Sequence, residues 1–366
     1  MGRLGIRGEN FQNALTMSEI KDIIFRVDSS RSLGAGHLMR CLTLAGAMKK
    51  RGARSHFVYQ TLPDHLGRLI NERGYSCTEI SGSHFDLERD AQLTLDSVQS
   101  AGADWVIVDH YLIDARWEAR IREYVERVIV IDDLANRPHQ CDFLIDQNPI
   151  QLDKRYDELV AASAVQLLGT EYALIRPEFL ELRSESLQRR ANGSLKTLTI
   201  SMGGIDDQNI NLKVLEILQT IHHATDLHIN LVLGFHSPWF GEIEKFLAQS
   251  SLHVRLYSHV HDMASLLTRS DLVIGAAGGS AWERCCLGVP SIIMAIAANQ
   301  EPGAIALGTS GAATHINSIS DLPAALSEFL QDASRHKLFK MSAAAAQLID
   351  GHGARRITDR LFHGIG

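Results

Sequence analysis

Short runs of β-branched and aromatic residues alternate with longer amphipathic runs along most of the chain, beginning at Lys21. The first series of short runs is DIIFRV, RSHFVYQ, CTEI, DWVIVDH, RVIVIDD and DFLIDQN. A second series follows Lys196 and consists of TLTISM, HINLVLG, HVRLYS, DLVIGAA, PSIIMAI and GAATHI. Strands that alternate with helices are typical of parallel, doubly wound sheets. The sequence therefore predicts two α/β domains of this class.

A chain of 366 residues is long enough for two such domains. Residues 1–20 are interpreted as an N-terminal extension, residues 21–195 as the first domain with a linker, and residues 196–366 as the second domain with C-terminal helices. The segment Pro149–Leu195 contains the charged stretch RPEFLELRSESLQRRANGS and is predicted to connect the domains. The last helices are expected to pack on the second domain or to cross back to the first.

Composition excludes several classes of protein. The net charge of −7, from 36 basic and 43 acidic residues, argues against a nucleic-acid surface. Five cysteines without CxxC spacing predict neither a disulfide framework nor a zinc site, so we expect reduced thiols. No run approaches the ~18 apolar residues of a membrane span, and no signal peptide is evident. We therefore expect a cytoplasmic protein that binds neither nucleic acid nor membrane. We also expect a monomer, although no sequence feature determines the oligomeric state.

The first strand-to-helix turn, VDSSRSLGAGHLMR, carries candidate site residues. Gly34 and Gly36 allow the backbone to approach a ligand closely, and the following helix N-terminus can receive an anion. The second strand ends in VYQTLP without an acidic residue, so the turn is a poor match to a dinucleotide fingerprint. His37 either hydrogen-bonds the loop or takes part in chemistry. Arg26 and Asp28 either fix a ligand or His37, or form an ordinary strand-end ion pair.

A second glycine turn occurs in SDLVIGAAGGSAWERCCLGVPSIIMAIAANQ. The strand is followed by Gly278 and Gly279, and a helix is predicted to begin at Ser280, which suits a diphosphate lying against the helix N-terminus. Glu283 lies three residues after Ser280 and has two interpretations. It either completes a capping box or accepts hydrogen bonds from the two hydroxyls of a ribose.

Three further loops carry polar residues at predicted strand ends. Asp109, His110 and Tyr111 end one strand in VDHY, where polar groups can also satisfy the backbone of a turn. Asn299 and Gln300 lie in the AANQ loop that follows the strand after the second glycine turn. The adjacent carboxylates of Asp132–Asp133 and Asp206–Asp207 are interpreted as turn formers or caps. We therefore predict no metal site and no cofactor.

The arrangement of these motifs resembles a known family. Two domains with a glycine-histidine loop in the first and GGSAWE...GVPSI in the second resemble the GT-B family of UDP-sugar enzymes. Five motifs in order, RVDSSRSLGAGHLMRCLTLA, WVIVDHYLID, IDDLANRPHQCDFLIDQN, GGIDDQN and AANQ, are similar to the UDP-2,4-diacetamido-2,4,6-trideoxy-β-L-altropyranose hydrolases of pseudaminic acid biosynthesis. The likeness runs from about Ile23 to the C-terminal helices. It implies a GT-B-like fold, two Rossmann-like doubly wound domains with a cleft between them.

The resemblance also implies a function and a site. The catalytic residues would be His37, Tyr111 and Asn299, and the partner would be a UDP-sugar. The substrate-binding residues would be Gly34, Gly36, Arg26, Asp28, Gly278, Gly279, Ser280, Glu283 and Gln300. His37 would activate water, a weak nucleophile at neutral pH, for inverting attack on the anomeric carbon with UDP as the leaving group. The alternatives are a glycosyltransferase, in which His37 activates an acceptor hydroxyl, and a non-catalytic UDP-sugar-binding protein.

Overall fold

A computed structural model describes residues 20–30, 34–82, 84–148, 154–191, 194–204, 206–234, 237–258, 260, 262–331 and 334–363. The N-terminal extension expected at residues 1–20 lies outside these ranges apart from Ile20. Among the described helices, none has the length and apolar character needed to cross a membrane.

The first sheet has seven strands within the described part of the chain, and all of its neighbours are parallel. They are β1 (Asp22–Val27), β2 (Arg54–Tyr59), β3 (Ser76–Glu79), β4 (Trp105–Asp109), β5 (Arg127–Ile131), β6 (Phe143–Asp146) and β7 (Val165–Leu168). Their spatial order is β3-β2-β1-β4-β5-β6-β7. The six strands predicted for the first domain are therefore confirmed, and β7 is additional.

The second sheet has six described strands, which are also parallel. They are β8 (Thr197–Ser201), β9 (His228–Val232), β10 (His253–Tyr257), β11 (Leu272–Ala276), β12 (Ser291–Met294) and β13 (Thr314–His315). Their spatial order is β10-β9-β8-β11-β12-β13. All of them were predicted, so the interpretation as two doubly wound, Rossmann-like domains is confirmed.

Helices cover the faces of both sheets, and their apolar sides form the core with the strands. They are α1 (Gly36–Lys49), α2 (Asp64–Glu72), α3 (Leu87–Ala101), α4 (Ala115–Arg122), α5 (Pro177–Arg190), α6 (Ile210–Thr220), α7 (Phe240–Leu247), α8 (Met263–Thr268), α9 (Ser280–Cys286), α10 (Glu301–Thr309), α11 (Leu322–Leu330), α12 (Ser334–Leu348) and α13 (Gly353–His363). The central strands β4 and β11 are buried along their whole length, because helices lie on both sides of them.

The segment predicted to connect the domains carries β7 and α5, and α5 packs against α8, α9 and α12 of the second domain. Arg183 of α5 donates hydrogen bonds to the carbonyl oxygens of Ala346 and Ile349. At the end of the chain, α12 packs against α9 and α11, whereas α13 packs on α1 of the first domain. Of the C-terminal helices, α12 therefore packs on the second domain and α13 crosses back to the first, so each of the two expected arrangements occurs.

Candidate active site

The carboxyl ends of β1 and β4 form the centre of the first-domain site. These strands are neighbours, and Val27 pairs with Asp109. The strand order reverses between them, which is where doubly wound sheets bind ligands. Gly34 adopts φ +74°, a conformation that favours glycine, and Gly36 begins α1 at an exposed position. The turn thus places α1 and its second residue, His37, at the reversal point.

His37 and Asp109 form a buried hydrogen-bonded pair. His37 Nδ1 lies 2.6 Å from Asp109 Oδ1, and Asp109 is only 1% exposed. A carboxylate that accepts the Nδ1 proton orients the imidazole and leaves the basic lone pair on Nε2. The pair therefore has the arrangement of a histidine base with an orienting carboxylate.

Arg40 holds the other side of the same carboxylate. Its Nε and one terminal nitrogen lie 2.5 and 2.6 Å from the two oxygens of Asp109, and its second terminal nitrogen lies 2.9 Å from Asp133 Oδ2. Burial alone would raise the pKa of Asp109, but the charge of Arg40 and the hydrogen bonds with Arg40 and His37 outweigh it and hold that pKa well below its ordinary value. Sequence reasoning missed Arg40, although it stands three residues after His37 and therefore on the same helix face.

Tyr111 and Asn299 bring the two domains together at this site. The Tyr111 ring meets the His37 ring edge to face, with 4.6 Å between centroids. Asn299 Nδ2 donates a hydrogen bond of 3.0 Å to Tyr111 Oη across the cleft. Burial, assisted by the charge of Asp133, raises the pKa of Tyr111, so the phenol stays neutral. The three residues predicted to be catalytic therefore lie side by side.

Arg26 and Asp28 form the strand-end ion pair that the sequence left open as one interpretation. Arg26 is 0% exposed and lies between Asp28, at 2.7 Å, and Asp90, at 2.5 Å. The Arg26 side chain has no exposed surface, so a contact with substrate would require these ion pairs to open, and substrate binding by Arg26 stays a prediction. Asp28 also lies 3.1 Å from His110 Nε2, so it holds the residue that precedes Tyr111. Arg26 and Asp28 therefore stabilise the strand end and the loop that carries Tyr111.

The second glycine turn follows β11, as predicted, and α9 begins at Ser280. The capping residue is Gly279, and no side chain caps the helix, so the capping box considered for Glu283 does not form. Ser280 Oγ instead accepts a hydrogen bond of 3.2 Å from Arg284. Gln300 lies over the turn, because a Cβ added at Gly278 would come within 3.2 Å of its Nε2.

Glu283 is held by Arg176, a residue that sequence reasoning did not single out. Arg176 Nε lies 2.6 Å from Oε1 of Glu283, and a terminal nitrogen lies 3.1 Å from Oε2. The two residues are 107 positions apart, and Arg176 lies in the stretch interpreted as a linker, so no local pattern pointed to the pair. The second domain therefore holds an oriented, partly exposed carboxylate in the helix that follows the glycine turn.

The adjacent carboxylates have structural roles. Asp206 accepts hydrogen bonds of 2.7 and 2.9 Å from the backbone nitrogens of Ile210 and Asn211 and so caps α6. Asp132 accepts from the backbone of Ala135 and from Arg137. These contacts agree with the interpretation of Asp206 as a cap and Asp132 as a turn former, whereas Asp133 pairs with Arg40 in the site. No cluster of three or more His, Cys, Asp or Glu side chains able to hold a metal ion was found within the described ranges.

Comparisons with known proteins agree with this architecture. Residues 197–361 match the glycosyltransferase family 28 C-terminal domain. The chain is 26% identical over 273 residues to an uncharacterized protein of Methanocaldococcus jannaschii, an alignment that covers 73% of this chain and 54% of that protein. It is 28% identical over 291 residues to the UDP-2,4-diacetamido-2,4,6-trideoxy-beta-L-altropyranose hydrolase of Campylobacter jejuni, covering 79% of this chain and 97% of that one.

Among solved structures, Acinetobacter baumannii MurG superposes with a TM-score of 0.68 at 15% identity. The superposition covers 94% of this chain and 100% of MurG. A likeness at this identity establishes the fold. The protein therefore has the GT-B architecture of two Rossmann-like domains, and its second domain is similar to the C-terminal domain of glycosyltransferase family 28.

Proposed function

We propose that the protein is an enzyme that hydrolyses a UDP-sugar, with His37 directing water to the anomeric carbon. The observation that carries this proposal is the His37–Asp109 pair at the reversal point of the first sheet, next to the contact between Tyr111 and Asn299. The His37 ring contacts Tyr111, which accepts a hydrogen bond from Asn299 of the domain that matches glycosyltransferase family 28. An oriented imidazole opposite a nucleotide-binding type of domain suits attack on the bond between sugar and diphosphate.

The proposed substrate is UDP-2,4-diacetamido-2,4,6-trideoxy-β-L-altrose. The Campylobacter hydrolase named for this compound is 28% identical to the chain and aligns over nearly its full length. The products would be 2,4-diacetamido-2,4,6-trideoxy-L-altrose and UDP, and the enzyme would act in pseudaminic acid biosynthesis. Attack from the face opposite UDP inverts the anomeric carbon.

In this proposal the second domain binds the nucleotide and the first-domain loop approaches the sugar. Backbone amides of the turn at Gly278, Gly279 and Ser280 receive the diphosphate, and Glu283 accepts the ribose hydroxyls. Gln300 borders this turn. On the other side, Gly34 and Gly36 let the first-domain loop approach the sugar, and Tyr111 and Asn299 line the place where the sugar meets both domains.

The chemical step needs one base and one leaving group. As the water oxygen bonds to the anomeric carbon, His37 Nε2 accepts a water proton, and Asp109 stabilises the resulting imidazolium. The bond between the anomeric carbon and the diphosphate oxygen breaks, and UDP departs with the electron pair. UDP needs hydrogen-bond donors more than a proton, and the second-domain turn offers them.

A glycosyltransferase is the second candidate, favoured by the family 28 match. His37 would then deprotonate an acceptor hydroxyl instead of water. Incubating the purified protein with the UDP-sugar and no acceptor separates the two. We expect UDP and free sugar in equal amounts. Release of UDP only after an acceptor is added would establish transfer, and tight binding without turnover would establish a binding protein.

A further inference from the structure

The chain passes from the first domain to the second through a buried extended segment that ends at Arg176. Leu174 packs in the hydrophobic cluster of the first domain, whereas Ala173 and Ile175 pack with residues of α9 and its neighbours in the second. Pro177 then begins α5 and fixes the backbone that follows. Arg176 is therefore anchored on both sides, where the chain crosses from the core of the first domain to that of the second.

The guanidinium of Arg176 is held by three neighbours. It makes the side-on pair with Glu283, and its remaining terminal nitrogen lies 3.1 Å from Glu178. Its Cζ lies 4.7 Å from the centroid of the Phe179 ring. The side chains of Arg176 and Glu283 are 20% and 15% exposed. A planar guanidinium group that donates one hydrogen bond to each carboxylate oxygen fixes both the position and the rotation of that carboxylate.

An ionised carboxylate offers about four acceptor positions, two on each oxygen. The side-on contact occupies one position on each oxygen of Glu283. Each oxygen of Glu283 therefore keeps one free acceptor position. Two neighbouring hydroxyls of one sugar ring can donate hydrogen bonds to these two positions at the same time. Without Arg176 the carboxylate would rotate freely, and binding would have to order it.

We propose that Arg176 is a positioning residue that orients Glu283 to accept hydrogen bonds from both ribose hydroxyls of the nucleotide. This inference rests on the nucleotide-binding part of the proposed function. It does not depend on hydrolysis, because its effect falls on nucleotide affinity. The donors of Arg176 are directed to Glu283 and Glu178, so its role runs through Glu283 and not through the diphosphate.

Calorimetric titration with UDP and with 2′-deoxy-UDP, which lacks one ribose hydroxyl, tests the proposal. We expect the unaltered protein to prefer UDP by roughly tenfold, the value of one hydrogen bond to a charged acceptor. Glu283→Gln and Arg176→Met are each expected to bring this preference close to one. Arg176→Lys, which keeps the charge but not the planar guanidinium group, is expected to retain an intermediate preference.

Arg183→Met is the matched control. Arg183 lies on α5 as well, and it donates to the carbonyl oxygens of Ala346 and Ile349. Its loss is expected to lower the melting temperature while the preference for UDP over 2′-deoxy-UDP stays at the parent value. A general weakening of the second domain is thereby separated from a change in ribose recognition.

Three results would overturn the positioning role. An unchanged preference in Arg176→Met would show that Glu283 needs no partner. An equal loss of affinity for both nucleotides in that variant would place Arg176 on the shared diphosphate. An unchanged preference in Glu283→Gln would leave no ribose contact to position. Failure of the hydrolase proposal is recognised separately, because UDP release without an acceptor would be missing while the titrations remain measurable.

Discussion

Asp109 forms hydrogen bonds with both His37 and Arg40, and its carboxylate connects the histidine to the rest of the first domain. One oxygen lies 2.6 Å from His37 Nδ1, and both oxygens are held by Arg40. Because Arg40 also reaches Asp133, the orientation of His37 depends on residues from α1, β4 and the loop after β5. A sequence pattern finds the histidine, but it does not show which carboxylate orients it.

Replacing His37 with Gln tests its role as a base. Loss of a positioned base lowers turnover by roughly 10²- to 10⁴-fold, and we expect kcat to fall by that amount while UDP affinity is kept. Steady-state kinetics and calorimetry measure the two quantities. His56→Gln is the control, since His56 on β2 contacts Ser76 and Thr78 and its loss should spare turnover. Turnover near the parent value in His37→Gln would remove this residue from the mechanism.

The buried carboxylate of Asp28 gives the protein an acid-sensitive component of stability. Burial alone would raise the pKa of Asp28, but the hydrogen bond with His110 and the charge of Arg26 hold it well below its ordinary value. A depressed pKa means that the stabilisation is complete above the unfolded-state value of about 4 and is lost as the pH falls below it.

We therefore expect Asp28→Asn to lower the free energy of unfolding by about 1–3 kcal/mol at pH 7, with a difference from the parent that narrows below about pH 4. Urea unfolding at pH 7, 5, 4 and 3 measures it. Asp207→Asn, at an exposed position, should follow the parent at every pH. A difference that stays constant or widens in acid would contradict the assigned role of Asp28.

At the scale of elements, sequence periodicity predicted strands well and misjudged where one helix docks. The buried apolar strands carry a strong local signal, whereas β7 is a partly exposed edge strand within the segment interpreted as a connection. The charged surface of α5 suggested a linker, but its buried side, including Phe179 and Ser186, packs on the second domain. Likewise, the Ser280–Glu283 spacing resembled a capping box, but Gly279 takes the capping position.

The start of α13 lies against the extended segment that leads into α5. A Cβ added at Gly353 would overlap the backbone of Ala173 and Tyr172, so no side-chain rotation could relieve the clash. We expect Gly353→Ala to destabilise the protein by about 1–3 kcal/mol, measured by urea unfolding. Gly241 in α7 is the control, because an added Cβ there meets nothing and Gly241→Ala should be neutral or slightly stabilising. Equal effects of the two substitutions would contradict the close packing at Gly353.

At the scale of the whole molecule, the site depends on pairings between distant parts of the chain. Sequence reasoning found both loops that meet at the cleft, including Tyr111 and Asn299. It did not find Arg176 as the partner of Glu283, nor Arg40 as the partner of Asp109. Such pairs depend on how the sheets and crossover segments are placed, which no local pattern records.

The hydrogen bond between Tyr111 and Asn299 spans the cleft, and a double-mutant cycle on kcat/KM measures it. With Tyr111→Phe, Asn299→Ala and the double variant, we expect a coupling of about 0.5–1.5 kcal/mol, the usual value of one hydrogen bond. The pair of Tyr111→Phe with His56→Gln serves as the control and should be additive. Additivity of the Tyr111 and Asn299 substitutions would contradict a shared role across the cleft.

The central claim, that His37 directs water to the anomeric carbon, is tested most directly by the reaction in ¹⁸O-labelled water. We expect mass spectrometry to find the label in the released sugar and none in UDP, because the carbon–oxygen bond is the one that breaks. Early proton NMR should show the inverted anomer before mutarotation. Label in UDP would mean attack at phosphorus and would contradict the account.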